Sequence, residues 1–310
     1  MNKVIFLFPG QASQYVGMGR ELHEKSDQVK KYYDQASQLL GDDLARISFE
    51  GPPDKLKQTI FTQPAILIHS LALLEMCGDV LPEHTYAAGH SLGEYVALAA
   101  CGALSSEDAI TAVCTRARLM EQACRDNPGT MAAVLALSDD KLDEVCRAAS
   151  AKGVVAMANI NSSLQVAVSG DLAAVEEACR LAKEAGAKRA IMLEVGGAFH
   201  SPLMASATEG MKACLDTMTV RDADPPIVAN VTAEPVRAAD EIRQLLVEQI
   251  TSPVRWRDTM AFFQKEEVDT VIEIGPGRVL TGLAKREMPG VSLYNIDKLA
   301  DLEKFETAVS

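Results

Sequence analysis

The sequence predicts an α/β fold in two parts, a large body on a mostly parallel sheet and a small unit inserted into it. Three observations predict it. Continuous apolar runs such as Val4-Ile5-Phe6-Leu7-Phe8, ended by Pro or Gly, read as buried strands, and helical patterns separate them. Gly89-His90-Ser91-Leu92-Gly93 stands between a short strand and an apolar helix, the setting of a nucleophile elbow. Residues 130–195 follow the order β-α-β-β-α-β, which is ferredoxin-like and suits an insertion whose two ends lie close together. The expected division is a large subdomain of residues 1–128 and 197–310, with residues 129–196 as the insert.

In chain order, residues 4–8 form the first buried strand. It leads into Gly10-Gln11-Ala12-Ser13-Gln14, a loop poised to deliver backbone N–H groups where open α/β sheets bind ligands. Helices are expected over 28–40 and 63–77, with Gly51-Pro52-Pro53 as a loop between them. Residues 85–88 form a short strand before the elbow and 95–100 a buried helix after it, which makes the large part α/β-hydrolase-like. Ser105 caps a helix with an acidic first turn, which runs to about residue 127, where Asn-Pro-Gly ends it. The insert reads as strand 130–136, helix 139–151, strands 154–161 and 165–170, helix 172–185 and strand 187–195. The chain then returns with a helix at 201–218, a short strand at 227–230 and helices at 241–250 and 255–265. A strand at 268–274 ends in Gly275-Pro276-Gly277, a helix follows from 279, and a strand at 291–296 closes the sheet.

Hydrophobic residues at 48% and charged residues at 24% over 310 residues describe a globular protein with a large core. The net charge of −13 argues against general nucleic-acid binding, because phosphate needs basic surface. Seven cysteines, odd in number and without a C-x-x-C pair, suggest neither a disulfide framework nor a metal site. The first apolar run meets Pro9-Gly10 too early for a signal segment, and no stretch is expected to span a membrane. A cytoplasmic monomer is the expectation.

A serine nucleophile needs a base, and five histidines are available. His23 and His84 read as surface residues, and His69, in Ile66-Leu67-Ile68-His69-Ser70, as a satisfied core histidine. His90 adjoins Ser91 and points away from its hydroxyl. His200 follows a Gly-Gly break at the end of a strand, and by elimination is the best base. No acid between Ser91 and His200 has a clear strand-end placement, and a carboxylate is not obligatory, because a backbone or amide carbonyl can also hold an imidazole in its tautomer. Arg116 lies on a mostly apolar helix, on a different face from Arg118. It either snorkels to the surface or faces inward, in which case it implies a substrate carrying a carboxylate.

These residues, with Phe8-Pro9-Gly10-Gln11-Ala12-Ser13-Gln14, Gln63-Pro64-Ala65, Ala198-Phe199-His200-Ser201-Pro202-Leu203-Met204 and Glu273-Ile274-Gly275-Pro276-Gly277, follow one another in a recognisable order. Over nearly the whole chain they resemble the malonyl-CoA:acyl carrier protein transacylase family of bacterial type II fatty acid synthesis. The resemblance implies that Ser91 takes the malonyl group from malonyl-CoA with His200 as base. The phosphopantetheine thiol of acyl carrier protein then accepts it, and no cofactor is permanently bound. It also implies an oxyanion hole from the backbone N–H groups of Gln11 and Leu92, and Arg116 on the malonyl carboxylate. The Gln249 backbone carbonyl would orient His200, and His90, Asn161 and Phe199 would line the substrate pocket. Gly197-Ala198-Phe199-His200 resembles the malonyl-type specificity motif, with Gly197 where histidine is usual, and Asn161-Ser162-Ser163 replaces the common Asn-Ser-Pro. An acidic carrier requires a local basic patch on an acidic protein, for which Lys183, Lys188, Arg189, Lys285 and Arg286 are candidates. A hydrolase with the same Ser–His pair is the rival reading, and a catalytically silent binding protein a third.

Overall fold

Residues 3–309 are described in a computed structural model of the chain. The chain starts with β1 (Val4–Phe8), all five residues buried, each contributing about 1.5–3 kcal/mol on leaving water. Then come α1 (Arg20–Lys25), α2 (Asp27–Leu40), α3 (Leu44–Glu50), α4 (Pro53–Leu56) and α5 (Thr59–Cys77). The Ser26 and Asp43 side chains accept N–H bonds that start α2 and α3, and Ser105 does the same for the helix that begins at Ser106. The elbow region comprises β2 (Tyr86–Gly89), α6 (Gly93–Ala100) and α7 (Ser106–Asp126). A second group follows: β3 (Thr130–Leu135), α8 (Asp139–Ala149), β4 (Val155–Ser162), β5 (Gln165–Gly170), α9 (Leu172–Glu184) and β6 (Arg189–Met192). Next are α10 (Ser206–Asp216), β7 (Ile227–Val228), β8 (Pro235–Val236), α11 (Ala239–Glu248) and α12 (Trp256–Lys265). The chain closes with β9 (Thr270–Ile274), α13 (Val279–Glu287), β10 (Ser292–Ile296) and α14 (Leu299–Val309).

Among the described residues the strands form two sheets. One has the order β10-β9-β1-β2-β7-β8, parallel except for the β7–β8 pair. The other is antiparallel, in the order β4-β5-β3-β6. Alternation along β1 sends Phe6 and Phe8 into the core under α5, α6 and α7, while Ile5 and Leu7 pack with Trp256 and Phe263 on the opposite face. The antiparallel sheet has its own apolar cluster with α8 and α9. The two ends of this second group meet, since a Cβ on Gly129 would lie 2.7 Å from that of Ala198. The edge strand β4 is also stitched to the first body, Ile160 N–H donating to the Val254 carbonyl at 2.9 Å.

Several expectations need correction. α5 begins at Thr59 rather than 63, because the turn carrying Phe61 is packed in the core; Pro64 falls inside the helix, near its start, where few backbone bonds are lost. The segment Thr59–Val80 is long and apolar enough to span a membrane, contrary to expectation, but it is mostly buried as a core helix. His84 is not a free surface residue: it stacks on Phe6 at 4.1 Å, and burial pushes its pKa down to about 4. The helix expected at 201–218 opens as a single turn over Pro202–Met204 before α10. The helices α1, α3, α4 and α14 and the strand β8 carry little periodic signal, being short or set by the neighbours they pack on.

Candidate active site

The register of the parallel sheet assembles the site. Phe8 pairs with Gly89 across β1 and β2, so the Gly10-Gln11 loop and the Ser91 turn leave the sheet side by side. Contact is close: a Cβ on Gly10 would lie 2.5 Å from the His90 carbonyl oxygen. β7 pairs with β2 on the other side and delivers Asn230 to the same rim. Ser91 itself sits at a positive φ of 53°, a conformation that costs about 1–3 kcal/mol in a non-glycine residue and holds the side chain out of the turn.

Four side chains converge there. Ser91 Oγ is 2.8 Å from His200 Nε2, and His200 Nδ1 is 2.8 Å from the Gln249 backbone carbonyl. With Nδ1–H donating to that carbonyl, the tautomer leaves Nε2 as an acceptor for the serine proton. His200 is buried, and desolvation followed by the Arg116 charge pushes its pKa down to about 3, so the imidazole is neutral at ordinary pH. A serine bonded to a neutral, oriented imidazole has the arrangement needed for nucleophilic attack.

Arg116 reaches inward from α7 and is 1% exposed. Its Nη1 donates to Gln63 Oε1 at 2.6 Å, and Nη2 to Ser91 Oγ and Gln249 Oε1, each at 3.0 Å. Nε has no partner among the described residues, and burial pulls the guanidinium pKa down. Its partners are neutral, so a cation is held here without a direct ion pair among the described residues. Arg118, two residues on, is exposed, as its different helix face requires.

The Ser91 N–H donates to Asn230 Oδ1 at 2.7 Å and is therefore occupied. No acceptor among the described residues takes up the Leu92 or Gln11 N–H. His90 points away from Ser91 Oγ, and its Nε2 is 2.9 Å from Asn161 Oδ1 on β4. That pair exists because β4 is stitched to the Val254 segment beside Trp256, against which the His90 ring leans at 5.4 Å. Phe199 is buried in the main core next to His200. Gly197 lies against α7, where a Cβ would collide with Cys124 Sγ, which accounts for the missing side chain at that position.

Residues 5–294 match the family model described as the acyl transferase domain. The chain belongs to this family. A malonyl CoA-acyl carrier protein transacylase of Bacillus subtilis is 44% identical over 289 residues, 92% of this chain and 90% of its own. One from Staphylococcus aureus is 40% identical over 98% of each chain. The crystal structure of an acyl-carrier-protein S-malonyltransferase from Burkholderia pseudomallei superposes with a TM-score of 0.91 at 38% identity, covering 98% of this chain and 99% of that one. A malonyl-transacylase solved in complex with a holo type II polyketide acyl carrier protein gives 0.91 at 35% identity, covering 99% of each chain.

Sequence reasoning missed three residues of the site. Gln63 stands in the sequence only within the Gln63-Pro64-Ala65 motif, and it binds Arg116. Asn230 lies two residues beyond the short strand β7, and nothing local marks it. Glu94 had a signal, a lone carboxylate in an otherwise apolar helix start, Gly93-Glu94-Tyr95-Val96, and it is 1% exposed.

Proposed function

We propose that this protein transfers a malonyl group from malonyl-CoA to the phosphopantetheine thiol of acyl carrier protein through a malonyl-serine intermediate, feeding fatty acid biosynthesis. The observation that carries the reading is the buried Arg116 guanidinium, 3.0 Å from the hydroxyl that takes the acyl group. A buried cation with only neutral partners is costly until an anion meets it. A malonyl group on Ser91 brings its free carboxylate to that cation, where a charge-assisted pair forms. The names of the relatives and the solved carrier complex support the same donor and acceptor.

In the first half-reaction Ser91 Oγ attacks the thioester carbonyl while His200 Nε2 takes its proton. The oxyanion forms against the N–H groups of Gln11 and Leu92, collapses, and expels the CoA sulfur, which receives the proton from His200. In the second the pantetheine thiol gives its proton to His200 and attacks the ester carbonyl. The thioester forms as the Ser91 oxygen leaves and recovers the proton. Gln249 keeps the imidazole in the working tautomer through its carbonyl, so no carboxylate is needed in the dyad. His90 and Asn161 shape the pocket wall, and Phe199 crowds an α-methyl branch. No permanently bound cofactor enters these steps. We read residues 129–196 as a ferredoxin-like insert in an α/β-hydrolase-like body of 1–128 and 197–310, working as a cytoplasmic monomer without nucleic-acid or membrane partners.

Intact mass spectrometry after mixing with malonyl-CoA tests the reading. A stable malonyl adduct that Ser91→Ala abolishes and that carrier thiol discharges is expected. Rapid release of free malonate, indifferent to carrier thiol, would instead identify a hydrolase.

A further inference from the structure

Glu94 is the one charged side chain in α6, and it is buried in its first turn. Burial pushes its carboxyl pKa up to about 7, against the pull of two N–H donors and of Arg116. Both donors converge on one oxygen: Asn230 N–H and Gln249 Nε2 each reach Oε2 at 3.0 Å. Among the described residues Glu94 makes no ion pair, and the Gln249 amide stands between it and Arg116. A carboxylate held in the interior without a direct counter-charge is a feature to be explained by what it organises.

We infer that Glu94 is a positioning residue: it fixes the direction of the Gln249 side-chain amide, and through Gln249 the placement of Arg116 and His200. The inference rests on the roles proposed above for those two residues. An amide has nearly the same shape either way round, so only its partners decide which end is oxygen. Gln249 Oε1 accepts from Arg116 at 3.0 Å, while Nε2 donates to Glu94 and to the Ser91 carbonyl, also at 3.0 Å. Reversed, the amide would set its NH2 against a guanidinium and its oxygen against a carboxylate. While Glu94 is ionised, the carboxylate and the guanidinium therefore reject the flipped state together. With an apolar residue at 94, the donor side is left with the Ser91 carbonyl alone.

The same residue carries the backbone carbonyl that accepts from His200 Nδ1, so an anchored side chain steadies that acceptor. Glu94 also holds Asn230, whose side chain accepts from Ser91 N–H and donates to the Gly89 carbonyl, both at 2.7 Å. That strap takes up the Ser91 N–H and leaves the neighbouring Leu92 N–H for the oxyanion. Glu94 touches no reacting atom in this arrangement.

The test compares Glu94→Leu and Glu94→Gln with the native enzyme by two readouts, alongside thermal melting to establish folding. The first is the proton resonance of the His200 Nδ1–H, which reports its bond to Gln249 without any substrate. The second is the ratio of Ser91 acylation rates by malonyl-CoA and acetyl-CoA, which loss of folded protein leaves unchanged. Glu94→Leu is expected to weaken or abolish the resonance and to lower the ratio about tenfold, and isosteric Glu94→Gln, which tolerates either amide direction, about threefold. Either variant, folded and with native resonance and ratio, overturns the proposal. If Arg116→Ala leaves the ratio at its native value, the carboxylate pairing is wrong, and the His200 resonance still decides the role of Glu94.

Discussion

Arg116 and His200 share one electrostatic arrangement, and it sets how each behaves with pH. Both are buried, and the guanidinium adds to the desolvation that keeps the imidazole neutral. On the proposed mechanism the base is thus always available, but weak. On the proposed pairing, a malonyl carboxylate beside Arg116 cancels part of that field and raises the basicity of His200, whereas acetyl cannot. Arg116→Ala removes the cation, so the His200 pKa moves up toward its ordinary value. The acid limb of Ser91 acylation by acetyl-CoA is expected to shift to higher pH in this variant, read from a pH–rate profile. The same variant should lower kcat/KM for malonyl-CoA by about 100-fold, the loss of a buried charge-assisted pair worth about 2–3 kcal/mol. An unchanged malonyl kcat/KM would exclude the pairing. His200 was legible as a residue because it stands alone after a Gly-Gly break. Arg116 was not decided, since sequence spacing defines a helix face but does not reveal what that face meets.

At the scale of the element, the turn between β2 and α6 works because it is tightly packed. A Cβ on Gly93 would collide with the Phe8 carbonyl, and one on Gly89 with the backbone of Gly93. Gly93→Ala must push β1 away from α6, with an expected destabilisation of about 3 kcal/mol or more and loss of Ser91 acylation. Urea denaturation of the variant measures it, and native stability would show that the turn has slack. Gly197 makes a milder case, because its neighbour is the single side chain of Cys124. Gly197→Ala should cost about 1–3 kcal/mol, and adding Cys124→Ala should recover most of it. The elbow was readable from five consecutive residues since its glycines have a local reason. Gly197 has none in the sequence, and its reason lies on α7.

For the whole molecule, a net charge of −13 must be reconciled with the acidic carrier that the resemblance implies. Register puts Arg189 opposite Leu135, Leu135 opposite Gln165, and Gln165 opposite Ser162, along one end of the antiparallel sheet. Ser163 then donates to Glu287 Oε1 through N–H at 3.0 Å and Oγ at 2.9 Å, beside the exposed Lys285 and Arg286. Arg189 on β6 and Lys285 and Arg286 on α13 thus flank the end of the sheet where the half-exposed Leu164 lies between β4 and β5. Lys285→Glu with Arg286→Glu is expected to raise the KM for carrier protein several-fold and leave that for malonyl-CoA alone. Steady-state kinetics at two salt concentrations check it, and an unchanged carrier KM removes the rim from consideration. Long-range repulsion is screened beyond about 8–10 Å at physiological salt, so such a local patch can prevail.

By itself the sequence determined the alternation of strands and helices, the elbow with Ser91, and the choice of His200. Each of these rests on short-range rules: periodicity of apolar residues, the backbone demands of a tight turn, and the scarcity of histidine. Only the tertiary structure decided that Arg116 faces inward, that the Gln249 carbonyl meets His200, and that Glu94 and Asn230 belong to the site. These contacts join residues as far as 158 positions apart, as between Gln249 and Ser91. They depend on strand order and helix packing, which no local pattern encodes. The resemblance implies Arg116 and Gln249, but their placement follows from helix packing: α7, which carries Arg116, packs on α5 and α10, and α10 in turn packs on α11, which Gln249 ends.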